Sequence, residues 1–217
     1  MGLFGRRNKL DVNGSRATNG FSSQRKDRFM RKLIPVVVLL IIPLLLVGCG
    51  NANAGKAKEY MKSADSEFEN ANMSNFASEI KSVVDASSTL HLSNSVFSWP
   101  LKSNQVVKAS ELTDKTEAQL NTAEAEYTKI TDLSGVKDYV DYADTMIKAI
   151  DDYLEAIKTA KSMLDEMLPQ AKSAESGAAF NPVFGTDYWK KIDKSIKDGG
   201  QASDDATGIK ENKNLSK

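Results

Sequence analysis

VKDYVDYADTMIKAIDDYLEAIKTAKSMLDEML, residues 136–168, decides the fold. Its apolar residues return every three or four positions: Val136, Val140, Ala143, Ile147, Ile150, Leu154, Ile157, Leu164 and Leu168. Lys161 takes one stripe position, and Tyr139, Met146 and Met167 widen the band. Side chains at i, i+3 and i+4 share one face of a helix, so this period predicts a long amphipathic α-helix. Ser134 suits its N-cap, Asp138 its first turn, and Pro169 is expected to stop it. Thirty-three residues make a rod of about 50 Å.

The same period continues outward. Residues 105–132 carry Val106, Thr113, Thr116, Leu120, Ala123, Tyr127 and Ile130 on one face. The break at Leu133-Ser134-Gly135 is short, which favours antiparallel neighbours. A first helix is expected over Ala54 to Leu92, with one stripe at Ala57, Met61, Ala64, Phe68 and Ala71 and another at Phe76, Ile80, Val83 and Leu90. The phase slips between Ala71 and Phe76, which reads as a stutter or kink near Asn72 to Asn75. SNSVFSWPLKSN, residues 93–104, breaks that helix with Pro100 and serines. Beyond Pro169 a looser segment with Gly177, Asn181-Pro182 and Gly185 leads to a short helix over 187–197, carrying Tyr188, Ile192 and Ile196 and stopping at Gly199. Residues 199–217 are polar, lack periodicity and are expected to be disordered. The fold expected is therefore all-α: an antiparallel bundle of three long helices plus one short C-terminal helix, over residues 56–198.

Charge narrows the partners. Lys+Arg and Asp+Glu both total 29, but nine of the bases and two of the acids lie in residues 1–48. From Cys49 onward twenty bases face twenty-seven acids, and every base there is lysine. Nucleic-acid binders show a basic patch and use the planar fork of arginine on phosphate, so nucleic acid is set aside as a partner. A single cysteine excludes an internal disulfide and a multi-cysteine metal cluster.

That cysteine, Cys49, closes an apolar run, LIPVVVLLIIPLLLV (residues 33–47), preceded by Arg31 and Lys32. Fifteen residues, two of them proline, are short for a membrane span of about 20. A basic segment, a short apolar core and small residues define a secretory signal. The cleavage region, Leu46-Val47-Gly48-Cys49, resembles the lipobox of bacterial lipoproteins. The resemblance covers the signal region alone. It implies that a diacylglycerol is joined to the Cys49 thiol, that cleavage follows Gly48, and that acyl chains anchor the mature chain to a membrane on its extracytoplasmic face. Cysteine suits this role because a thioether forms most readily from a thiolate, and two or more acyl chains hold firmly. The 32 residues before the apolar run depart from the family's short leader. A start at Met30 restores an ordinary length, so residues 1–29 read as a start assigned too early or an unusual cytoplasmic lead. Arg6-Arg7 lies too far upstream to serve as a twin-arginine signal. Residues 49–55, CGNANAG, read as a lipidated flexible tether.

Catalytic and metal centres find little support in the sequence. His91 is the single histidine and is read as a helix-end residue. Asp141, Asp144, Asp151 and Glu155 fit a cation site, but interleaved Lys148 and Lys158 fit an exposed face laced with i, i+4 pairs more simply. The methionines at 61, 146, 163 and 167 read as core filler. No cofactor, metal or enzymatic role is expected. Aromatic residues outside the long helices form two clusters, Phe97 with Trp99 and Phe180 with Phe184, Tyr188 and Trp189. Counting helices up, down and up from the membrane puts both at the far end. There they form a candidate binding cap, or seal the core, or do both. The function expected is non-enzymatic binding or structural support in the cell envelope, through an envelope or surface protein partner. The alternative is a helical ligand-sensing or solute-capturing module with its site at the aromatic end.

Overall fold

The computed structural model describes the backbone of residues 34–93 and 96–216 and the side chains of residues 52–92 and 98–216. Two compact units divide the chain, Met1–Leu45 and Leu46–Lys217, and all of the described side chains belong to the second. The chain is mostly helical. Helices α1 (Ile34–Ala71) and α2 (Met73–Ser87) lead to a hairpin of β1 (His91–Ser93) and β2 (Val96–Ser98); α3 (Ser103–Thr131), α4 (Lys137–Ser176) and α5 (Thr186–Asn212) come after it. The hairpin pairs antiparallel, with Leu92 opposite Phe97. Among the described residues no helix is long and apolar enough to cross a membrane.

The phase slip after Ala71 is a chain break. Asn72 adopts a left-handed conformation, φ 46°, which asparagine tolerates better than most residues. Its Oδ1 accepts the Asn75 N–H at 3.2 Å and so caps α2. The expected helix over 54–92 is therefore two helices that end at Ser87. Residues 50–55 depart from the flexible tether: they are helical within α1, and Asn53 Nδ2 donates to the Ser134 carbonyl at 3.0 Å.

Two further expectations are overturned. Pro169 does not stop α4, which runs on to Ser176. An internal proline removes one backbone hydrogen bond and costs about 3 kcal/mol. Burial of Met167 and Ala171 on either side offsets that cost. The helix ends instead at Gly177, φ 74°, where Gly177 N–H donates to Ala174 O and Ala178 N–H to Ser173 O. This is the Schellman arrangement that a left-handed residue closes. Likewise, Gly199 does not end the last helix, and residues 199–212 are ordered within α5. Asn214, φ 53°, closes a second Schellman turn in which Leu215 N–H donates to Lys210 O. Leu215 is buried. The last helix is thus 27 residues long, and the folded part extends past residue 198.

The core explains these lengths. Helix α4 buries Tyr142, Ala143, Met146, Ile150, Tyr153, Ile157, Leu164 and Met167 among others, a band too wide for one neighbour. It packs against both α3 and α5. Across α3, Ser103 meets Glu175, Lys161 meets Asp114, and Tyr127 meets Tyr142. Across α5, Tyr188 meets Glu166 and Lys213 meets Asp138. Helix α5 approaches closely because its inner seam is small. A Cβ on Gly199 would lie 2.9 Å from the Ala149 carbonyl and from the Tyr153 ring.

Gly199→Ala is expected to destabilise the fold by about 1–3 kcal/mol through overpacking. Gly208→Ala, in the same helix with nothing within 4 Å of its Cβ, is expected to stabilise by about 0.5–1 kcal/mol. Thermal unfolding of the two variants beside the wild type checks the contrast.

Candidate functional site

One end of the helices is closed by the residues that the sequence groups as aromatic clusters. Helix α2 ends at Ser87, which is fully buried. Its carbonyl accepts Trp99 Nε1–H at 3.1 Å, and its hydroxyl donates to Val84 O at 2.8 Å and accepts Gly185 N–H at 3.0 Å. Gly185 must be glycine-sized, since a Cβ there would lie 2.9 Å from Val84. Trp99 is buried and its ring lies nearly parallel to Phe180, with centroids 6.1 Å apart. Leu101 is wholly buried just after it. The two aromatic clusters therefore meet.

The remaining members face outward in different ways. Tyr188 donates its hydroxyl to Glu166 at 2.6 Å. Trp189 is half-buried, with Lys81 Nζ 5.9 Å from its ring centroid. Phe184 is 48% exposed, and so are Leu92 (63%), Leu90 (39%) and Val107 (39%). These are the large exposed apolar residues among those described, and all four belong to this end or to the second turn of α3 beside it. Backbone Phe97 pairs within the hairpin, but its side chain lies outside the described residues. His91 is exposed in β1 rather than at a helix end. The Cys49 thiol and the surroundings of Gly48 also lie outside the described residues. Of the carboxylates on α4, Asp141 pairs with Lys137 and Glu155 with Lys158, while Asp144 and Asp151 are exposed.

Nearer the opposite end is a polar centre. Asp65 of α1 accepts hydroxyl hydrogens from Tyr127 of α3 and Tyr142 of α4 on Oδ1, each at 2.6 Å. Its Oδ2 accepts from Lys210 Nζ of α5, also at 2.6 Å. Lys210 Nζ further lies 5.7 Å from the Tyr142 ring centroid. Four helices thus meet on one carboxylate. Burial holds both phenols far above the usual tyrosine range; Tyr142 and Asp65 raise Tyr127 further, and the Asp65 charge raises Tyr142. Two phenols that stay protonated act as donors and not as bases. Of this centre, Tyr127 sits on a sequence stripe. Asp65 lies one position from Ala64, and Lys210 lies in a tail read as disordered, so neither carried a signal as a core partner.

No protein-family model matches this chain, and neither a curated protein nor a solved structure does.

A phenol that keeps its proton in the folded chain, where the unfolded chain loses it, makes stability fall as pH rises past about 10. Tyr127 and Tyr142 are expected to ionise only together with unfolding. Tyrosinate absorbance followed beside far-UV circular dichroism checks this: the share of the absorbance change due to these two phenols is expected to coincide with loss of the helical signal. Asp65→Ala leaves two buried phenols, Tyr127 and Tyr142, without their acceptor and Lys210 without its partner. It is expected to cost about 3 kcal/mol in denaturant unfolding.

Proposed function

We propose that the chain is an antiparallel helical bundle, lipid-anchored at Cys49 on the extracytoplasmic face of a membrane, which acts by binding and not by catalysis. The observation that carries this reading is the sequence Leu46-Val47-Gly48-Cys49 behind a basic and apolar leader. The residue pairings across α3–α4 and α4–α5 support the antiparallel arrangement, because low numbers on one helix meet high numbers on the next. The bond from Asn53 to Ser134, four residues after Cys49, supports an anchor close to the α3–α4 turn.

The end built on Ser87 and Trp99 then stands furthest from the anchor. Forty residues of α4 correspond to about 60 Å. Scattered exposed apolar residues are ordinary, but their concentration at one end marks an interaction site. A protein partner in the envelope or on the surface fits Phe184 and Leu92 better than a small molecule does, because Trp99 and Leu101 fill the interior there.

Cells making the full chain and grown with labelled palmitate are expected to label the wild type and not Cys49→Ser. A wild-type protein that stays unlabelled and freely soluble overturns the anchor. For the binding end, Phe184→Ser is expected to leave stability within about 0.5 kcal/mol while weakening capture of a membrane partner. Trp99→Ala is expected to lose about 3–5 kcal/mol. A Phe184→Ser variant that captures the same partner as well as wild type removes this surface from the reading.

A further inference from the structure

The polar centre opens onto a cleft of about 350 Å³ between α1 and α5, whose lining includes Lys58, Met61, Lys62, Asp65, Glu69 and Lys210. Pockets for small ligands are of this size or larger. Three ammonium groups around one cleft stand against the composition of a chain that carries seven more acids than bases from Cys49 onward. The carboxylate at its floor is already committed: Asp65 accepts from Tyr127, Tyr142 and Lys210. Lys210 offers three donors in all, and one is held by Asp65. Among the described residues Lys62 makes no hydrogen bond or ion pair. Glu69 is exposed at the rim.

The geometry points to an anion-binding site here, taking a phosphate or carboxylate group of a small organic ligand or of a lipid headgroup. Lys210 is the fixed element, because its ammonium is held by a carboxylate that two buried phenols orient. Lys62 is the adjustable element: it lies one helical turn from Lys58 on the same face of α1 and has no other described partner. Met61, buried beside them, gives the cleft an apolar wall for the rest of the ligand. Lys58 lies nine residues after Cys49, about 14 Å along α1, so a headgroup and a free phosphate are both within reach of a bundle held at that cysteine. The site does not require the anchor, since a soluble ligand has the same access.

Thermal unfolding of the full chain in a neutral detergent tests this, with inorganic phosphate against chloride at equal ionic strength. Phosphate is expected to raise the melting temperature saturably, by about 3 °C at ten times its dissociation constant. Lys62→Glu is expected to melt as the wild type does in chloride and to bind phosphate about five-fold or more weakly. A second arm reconstitutes the chain in phosphatidylcholine vesicles with and without phosphatidylglycerol. A rise that needs phosphatidylglycerol, is absent with free phosphate and is lost in Lys62→Glu identifies the headgroup as the source. No response in either arm, or a response that Lys62→Glu retains, overturns the site.

Discussion

Helix α4 cannot stand with one neighbour. Its buried residues include both Ile150 and Tyr153, both Ile157 and Ala160, and both Met163 and Leu164. Positions three and one apart cannot all point along a single line, so the apolar band spans a broad arc of the helix surface. Such a helix leaves apolar area in water unless it is covered from two sides. The antiparallel reading follows from that requirement together with the short α3–α4 connection. Helix α3 covers one flank and α5 the other, while α1 reaches the remaining edge through Phe68 against Tyr153 and Asp65 against Tyr142.

The two flanks differ in legibility, and the reason is side-chain size. Val106, Leu120, Tyr127 and Ile130 are spread along the whole of α3 and large aliphatics mark the middle of α4, so their helical period is visible in the sequence. The inner face of α5 runs Ile192, Ile196, Gly199, Ala202, Ala206 and Ile209. The spacing is as regular as that of α4, but three of the six are glycine or alanine. Such residues contribute little to a hydrophobic pattern and read as a stop or a polar tail. In the packed structure they permit the close approach seen at Ala149 and Tyr153. Pro169 misleads for a related reason: its local penalty is a few kcal/mol, while the burial that carries α4 past it is set by distant contacts. The break at Asn72 was legible because the phase of the stripe shifts between Ala71 and Phe76.

Polar interior groups add what apolar packing lacks, which is register. A stripe of alanines and isoleucines slides by a turn at modest cost, since one methyl group replaces another. Asp65 does not tolerate such a slide. A shift of α1 by one turn, about 5.4 Å, takes its carboxylate out of reach of two phenols and an ammonium at once. Each phenol left buried without an acceptor costs about 1–3 kcal/mol. Glu175 plays a similar part at the other end, accepting both the N–H and the hydroxyl of Ser103. There a carboxylate in the last turn of α4 meets the positive end of α3, and those bonds hold its carboxyl below the usual range. Lys161, between Asp114 and Glu117, fixes the middle.

The helical start of α1 changes what an anchor at Cys49 can do. A flexible tether of seven residues lets a domain tumble over the bilayer. A helix that is tied to Ser134 within four residues of the cysteine does not, because about 6 Å of rise separates the two points. If Cys49 carries lipid as proposed, the anchor would constrain the α3–α4 turn and the C-terminal Schellman turn, which contacts Tyr139 through the Leu215 carbonyl. Stiffness at the base is transmitted along α4, whose ladder continues through to Ser176. Under that proposal a surface at the Trp99 end would be presented at a defined height, and the exposed residues Leu92 and Phe184 would meet a partner without first losing the orientational freedom of a loose tether. Less of the interaction energy would then be spent on ordering, which is how preorganisation strengthens binding without adding a contact.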